Sequence, residues 1–217
     1  MFSVNPACRN GMIRPDAAKT PRPDSRISPR ATNMDDVSLF AFVGLLLAQA
    51  IAEYCAMLHT GSLRRKHKRE WTYYAVALPF KAMLATAIVE YVCLRTQPSV
   101  TGTVAGSLLA GAGIVIRVLG HLQLGRAFSP YVEKEESQQL IQSGMYAKIR
   151  HPMYIGTILQ FLGMPLMLAA NSARLFSALG LAGTVIRIQK EEAFLCRELP
   201  GYQEYTQRTR RLLPYIY

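Results

Sequence analysis

The residues whose types suit chemistry fall in two short runs close to the C-terminus. The first is Arg150-His151-Pro152-Met153-Tyr154, approached through Gln138-Gln139-Leu140-Ile141 and Tyr146. The second is Arg187 with Glu191-Glu192, followed by Tyr202, Tyr205 and the arginines Arg208, Arg210 and Arg211. A guanidinium can hold a carboxylate through two parallel bonds. A glutamate accepts from amino and hydroxyl groups, while imidazole and phenol add donors. Each feature alone has a plainer reading. Arg150-His151 can be a basic anchor at a helix start, with Pro152 in the first turn. Arg187 and Glu191, four apart, can be an ion pair along one helix. Glu191-Glu192 can be a solvated face, and Tyr146 and Tyr154 can be interfacial aromatics.

The elements that must position these runs are apolar. Half of the 217 residues are hydrophobic and 18% are charged, which excludes a disordered chain. Five apolar blocks cover 37–59, 73–94, 102–119, 154–170 and 173–188. The first three meet the roughly 20 helical residues that a bilayer core requires. The last two are short and separated only by Asn171-Ser172, which predicts a tight helical hairpin. Soluble helices rarely stay apolar on every face for this long. The fold class expected is therefore all-α: an integral membrane protein of about five transmembrane helices with a short C-terminal hairpin, to which the family resemblance described below adds a cytosolic cofactor pocket.

The net charge of +11 would by itself suggest nucleic acid. Its distribution points to topology instead. The connections after blocks one and three and the tail after block five hold fourteen Lys and Arg, against Arg95 and Arg174 in the other two. Five spans with a cytosolic C-terminus satisfy the positive-inside rule, and no nucleic-acid partner is needed. The hairpin leaves and returns on one side, so it carries both polar runs to the same cytosolic surface. Cys8, Cys55, Cys93 and Cys196 have neither a zinc nor a disulfide spacing and read as free thiols. No metal is expected.

The chain divides into a disordered extension over 1–33, three transmembrane helices over 34–124, and a catalytic region with the hairpin over 125–217. The extension holds five prolines and six Lys/Arg against two Asp. It reads either as a transit-type leader or, preferably, as sequence upstream of a start at Met34. Gly102, Gly106 and Ala110 recur every fourth residue, which lets membrane helices approach closely. Glu53 and Lys81 lie roughly 9–12 Å inside the cytosolic helix ends at 1.5 Å per residue. An ion pair between them is expected, with a polar lining for a substrate path as the alternative.

The run Ser143-Gly144-Met145-Tyr146 leading to Arg150-His151-Pro152-Met153-Tyr154-Ile155-Gly156 resembles the signature of the isoprenylcysteine carboxyl methyltransferase family. Arg187 with Glu191-Glu192, then Leu195, Tyr202, Tyr205 and an arginine-rich stretch closing on Pro214, is similar too. The resemblance covers roughly 117–217 and is shared with phospholipid N-methyltransferases. It implies a membrane-embedded enzyme using S-adenosylmethionine, with a pocket built from the C-terminal half. The same resemblance implies cofactor contacts at Gln138, Gln139, Leu140, Ile141, Tyr146, His151, Pro152, Met153, Tyr154 and Glu191, with Leu140 the close match among the first four. Arg187 matches the family's substrate-binding arginine and is the expected catalytic residue.

The expected reaction is methylation of the carboxylate of a prenylcysteine or similar lipophilic acid, so the partners are a lipophilic or prenylated substrate and membrane lipid. Such a carboxylate, with an ordinary pKa of about 3–4, is already ionised near neutral pH, so alignment matters more than a base. The alternatives are phospholipid amine methylation, methylation of another small hydrophobic acceptor, a sterol-reductase-like enzyme using NADPH, and a non-enzymatic membrane protein. The expected location is a multi-pass membrane protein of the endoplasmic reticulum if eukaryotic, or of the inner membrane if bacterial.

Overall fold

The computed structural model describes residues 32–61, 70–129 and 139–212. Helix α1 runs Thr32–Thr60, α2 Trp71–Cys93, α3 Val100–Leu124, α4 Pro152–Met167, α5 Ala173–Glu198 and α6 Tyr202–Arg208. Single 3-10 turns occupy Gly125–Ala127 and Gly144–Ala147. Among the described residues no strand forms beyond one isolated bridge, Ile149 to Arg210. Thr32 and Asn33 open α1; the rest of the extension expected over 1–33 lies outside the described residues.

Among the described residues, three helices are long and apolar enough to cross a membrane, within Asp36–Thr60, Trp71–Cys93 and Val100–Leu124. Their outward faces carry Phe40, Leu47, Ile51, Leu78, Val92 and Leu108, all exposed. That suits a lipid surround, where apolar side chains face outward without cost. Helix α4 is a shorter apolar helix. Helix α5 continues well past the apolar block at 173–188, and its polar last third holds Glu191 and Glu192. The hairpin expected from Asn171-Ser172 is present.

Local signals set the helix ends. The Ser99 side chain accepts from Gly102 N at 3.0 Å and caps α3. Pro152, which has no N–H to lose, opens α4. At the hairpin, the carboxylate of Glu90 on α2 accepts from Ser172 N at 2.9 and 3.1 Å and from Ala173 N at 3.3 Å. It thereby satisfies amides that the start of α5 leaves open, at the positive end of the helix dipole.

Helices α3 and α4 touch backbone to backbone. A Cβ on Gly163 would meet Gly106 O at 2.6 Å, and one on Gly113 would meet Gly156 O at 2.6 Å. The small-residue repeat in α3 therefore does pack a helix, with Gly106, Ala110 and Gly113 buried. Farther along, Thr103 Oγ1 donates to Met167 O at 3.1 Å. Phe42, Met83, Ala87, Phe161, Met164 and Met167 form the core toward the hairpin turn.

Gly113→Leu should force α3 and α4 apart and lower the melting temperature in detergent, at an overpacking cost of about 1–3 kcal/mol. Gly111→Ala, whose added Cβ meets nothing within 4 Å, should leave the melting temperature unchanged or raise it slightly, since Ala favours a helix interior over Gly.

Candidate functional site

Three-residue spacing on α4 organises the site. His151, just before α4, and Tyr154, Thr157 and Gln160 on it form a row that turns about 60° around the helix axis at each step. Between them they meet α5, α3 and α1. His151 approaches Glu192 on α5, with Nε2 3.4 Å from Oε1. Tyr154 stands between two residues of α5: Arg187 Nε donates to its hydroxyl oxygen at 2.7 Å, and the hydroxyl donates to Glu191 Oε2 at 2.7 Å. Thr157 Oγ1 accepts from Arg117 Nη1 on α3 at 2.7 Å. Gln160 Nε2 donates to Gln49 Oε1 on α1.

These side chains line a cavity of about 440 Å³ enclosed by all five long helices and the segment before α4. Gln139, Leu140, Ile141, Tyr146, His151, Met153, Tyr154, Arg187 and Glu191 are all wall residues. Of the residues expected at the site, Pro152 is buried at the first position of α4 and is not a wall residue. Its place there is explained by helix initiation. Gln138 lies outside the described residues. The cavity also draws on both sides of the 124/125 boundary.

Arg187 is held as well as placed. Its Nη1 donates to Thr72 Oγ1 at 3.1 Å and lies 3.7 Å from Glu70 Oε2. The plainer reading of Arg187 and Glu191, a direct ion pair along the helix, gives way to a bonded series, because the Tyr154 hydroxyl stands between them. Glu191 Oε1 has no partner among the described residues. Nor is Tyr154 an interfacial aromatic, because it is fixed by both neighbours. Tyr146 is buried, with its backbone carbonyl accepting from the Tyr205 hydroxyl at 2.6 Å. Burial, with the Glu191 charge, raises the Tyr146 phenol above its ordinary value. Burial likewise pushes the Tyr205 phenol up to about 12, so both stay neutral donors near pH 7.

Glu192 is no solvated face. It is 7% exposed and ties the C-terminal segment to the start of α4. Arg150 Nε donates to Oε1 at 2.6 Å, and Arg211 Nε donates to Oε2 at 2.6 Å. Arg150 Nη1 also donates to Thr206 O at 3.1 Å and to Thr209 O. The backbone completes the clasp, with Arg150 N to Arg210 O at 2.7 Å, His151 N to Arg211 O at 3.0 Å and Arg210 N to Lys148 O at 3.0 Å. Burial by itself would raise the Glu192 carboxyl. The His151 ring and the Arg150 guanidinium outweigh it and hold the group at about 2, against an ordinary 4.5. Arg150 is therefore a structural cation that pins the floor of the cavity.

Deeper in, Glu53 departs from expectation. Its carboxylate is paired with Arg117, Nε donating to Oε1 at 2.7 Å and Nη2 at 2.5 Å, rather than with Lys81. Gln49 Nε2 adds a bond at 2.9 Å, and His121 Nε2 lies 3.4 Å away. The physical reason is register: Arg117 lies one helix turn from Gly113, where α3 meets α4, and so faces the cavity. Lys81 is also a wall residue and is exposed, but among the described residues it has no hydrogen-bond or ion-pair partner. Gln49, Arg117, Thr157 and Gln160 were not foreseen. The polar positions 154, 157 and 160, spaced by three inside an apolar block, were the signal that could have found the last two.

Residues 101–199 match the family described as phospholipid methyltransferase. A probable protein-S-isoprenylcysteine O-methyltransferase of Oryza sativa subsp. indica is 30% identical over 115 residues, 51% of this chain and 60% of that protein. The cobalt-zinc-cadmium resistance protein CzcN of Cupriavidus metallidurans is 31% identical over 87 residues, 39% of each chain. The match thus spans less than two thirds of these relatives' length. Among solved structures, the eukaryotic intramembrane Ras methyltransferase ICMT (isoprenylcysteine carboxyl methyltransferase) shares the fold, with a TM-score of 0.60 and 23% identity over 82% of this chain and 68% of that one.

The depressed Glu192 carboxyl predicts a pH dependence with a definite sign. Its folded value lies below its unfolded one, so its contribution is complete above about pH 4.5 and is lost as pH falls from there through about 2. Glu192→Gln should lower the melting temperature at pH 7. The gap to wild type should narrow as pH is taken below 4.5, followed by thermal unfolding in detergent.

Proposed function

We propose that this chain, which matches the phospholipid methyltransferase family over 101–199 and is similar to a protein-S-isoprenylcysteine O-methyltransferase over half its length, methylates the carboxylate of a lipophilic acid from S-adenosylmethionine at the membrane surface. The observation that carries the reading is the bonded series Arg187, Tyr154 and Glu191 in one cavity wall. It sets a cation for an anionic acceptor beside a carboxylate for a donor-rich cofactor.

The wall suits such a cofactor. Glu191 Oε1, without a partner among the described residues, can accept from ribose hydroxyl or amino groups. His151 is 5% exposed, its Nε2 lies 3.4 Å from Glu192 Oε1, and its ring borders the cavity, where it can pack against the cofactor. The rings of Tyr146, Tyr154 and Tyr202 present electron-rich faces that favour a cationic sulfonium. Leu140, Ile141, Phe194, Leu195 and Leu199 offer an apolar bed for a purine. When bound, S-adenosylmethionine supplies an electrophilic methyl group.

The protein's own part is orientation. An acceptor carboxylate is ionised at neutral pH, so no side chain need remove a proton. Arg187 neutralises and aims it, and its geometry is preset by Tyr154, Thr72 and Glu70. Fixing the reacting groups in line removes much of the entropic barrier. The lipophilic part of the acceptor extends along the cavity toward the spans, while the basic segments hold this end in the cytosol, at the endoplasmic reticulum or the bacterial inner membrane. In this reading 34–124 supplies the spans and 125–217 most of the cofactor contacts, with Gln138 and Gln139 near the cofactor. The two glutamates of the wall, Glu53 and Glu191, favour a second reading, methylation of a phospholipid amine, which is cationic when protonated.

Purified protein given methyl-labelled S-adenosylmethionine and N-acetyl-S-farnesylcysteine should yield label that mild base releases; base-stable label in a lipid extract would support the amine reading instead. Arg187→Lys should lower kcat/KM for the carboxylate acceptor by about 10²-fold or more, while cofactor Kd changes little. Glu191→Ala should weaken cofactor binding about tenfold, as measured by calorimetry.

A further inference from the structure

Below Tyr154 the cavity wall is apolar at Met57, Val76, Ala77 and Phe80, as an isoprenoid tail would call for, but polar side chains interrupt it. Thr157 and Gln160 continue down α4 and meet Arg117 and Gln49, with Glu53 bonded to both. Six residues of α4 separate Tyr154 from Gln160, about 9 Å at 1.5 Å per residue. Three of the contributing helices are candidate membrane spans. Polar side chains at such depth are costly and tend to mark ligand paths. Some of this network joins helices, and its members satisfy one another.

Lys81 does not fit that explanation. It sits ten residues into α2, about 15 Å from the start of the helix at 1.5 Å per residue. It is exposed and a wall residue, and no described residue bonds to it. The packing fixes its level. Thr72 meets Arg187, Ala75 lies against Gly183, and Phe80 stacks edge-on against Phe161, the neighbour of Gln160. Lys81 therefore lies at the depth of Gln160, well below Arg187. An ammonium there has three donors and no protein acceptor.

We propose that this lower layer is a second acceptor subsite, which takes an oxygen function part way along a lipophilic substrate. The preferred acceptor is then a lipophile whose apolar body is interrupted by a carbonyl or hydroxyl roughly 9 Å from the methylated end, rather than an uninterrupted prenyl chain. Lys81 donates to that oxygen, and Gln160 fixes its position. The subsite deepens the methyl-transfer reading by naming the substrate class, and binding alone can test it.

The test compares N-acetyl-S-farnesylcysteine with the same thioether bearing a mid-chain ketone, using the full chain in detergent. Equilibrium binding is measured first, then label transfer from S-adenosylmethionine. The ketone should bind at least about tenfold more tightly, because a site built for a hydrogen bond penalises the ligand that lacks it. Lys81→Met, which breaks no bond among the described residues, should erase that preference. Gln160→Leu should reduce it in the same direction, with the bare chain bound as well or better. Equal binding of the two probes by wild type, or a preference untouched by Lys81→Met, overturns the subsite whatever the turnover. A ketone preference erased by Lys81→Met with no label transferred to either probe upholds the subsite and sinks the methyl-transfer reading.

Discussion

Where α3 and α4 cross, the two backbones meet at Gly106 with Gly163 and at Gly113 with Gly156, closer than any Cβ would permit. In a membrane the apolar surround gives little drive for one helix to bury against another, so van der Waals fit of this kind must hold them. The crossing has a chemical consequence. It brings Arg117 against Thr157 of α4, which accepts from it. It also sets the rotation of α4, and with it the wall positions of His151, Tyr154 and Gln160.

A second constraint acts at the other end of the site. Glu192 gathers Arg150, Arg211 and the His151 ring around one buried carboxylate, and backbone bonds lace 148–151 to 210–211. A buried charge is tolerable only when it is paired and hydrogen-bonded, and this one is. The adjacent Glu191 keeps an open oxygen at the cavity. Two neighbouring glutamates thus have opposite fates. Successive helical residues point about 100° apart, so one turns toward the clasp and the other toward the cavity.

Between these anchors Tyr154 joins the two wall charges of α5. Without it, Arg187 and Glu191 would be free to pair directly, as residues four apart on a helix do. With the phenol between them, each charge is oriented toward the cavity and neither cancels the other. Thr72 and Glu70 steady Arg187 from α2, so a residue in the C-terminal motif depends on a helix outside the stretch that matches the family. The N-terminal helices therefore shape the site as well as crossing the membrane.

The chain's composition and the length of its blocks determined the helical membrane fold, because long apolar helices have few other stable environments. The motif residues from Tyr146 to Tyr154 and from Arg187 to Glu191 were legible because the hairpin returns both ends to one side. Sequence spacing could not tell that Glu192 is buried while Glu191 lines the cavity, since adjacent glutamates look alike until a partner surface is present. Nor could it choose between Lys81 and Arg117 as the partner of Glu53. Depth along separate helices was available from counting, but rotation about each helix axis was not. Only the packed structure fixes that rotation, because it is set by which small residues on one helix meet those on another.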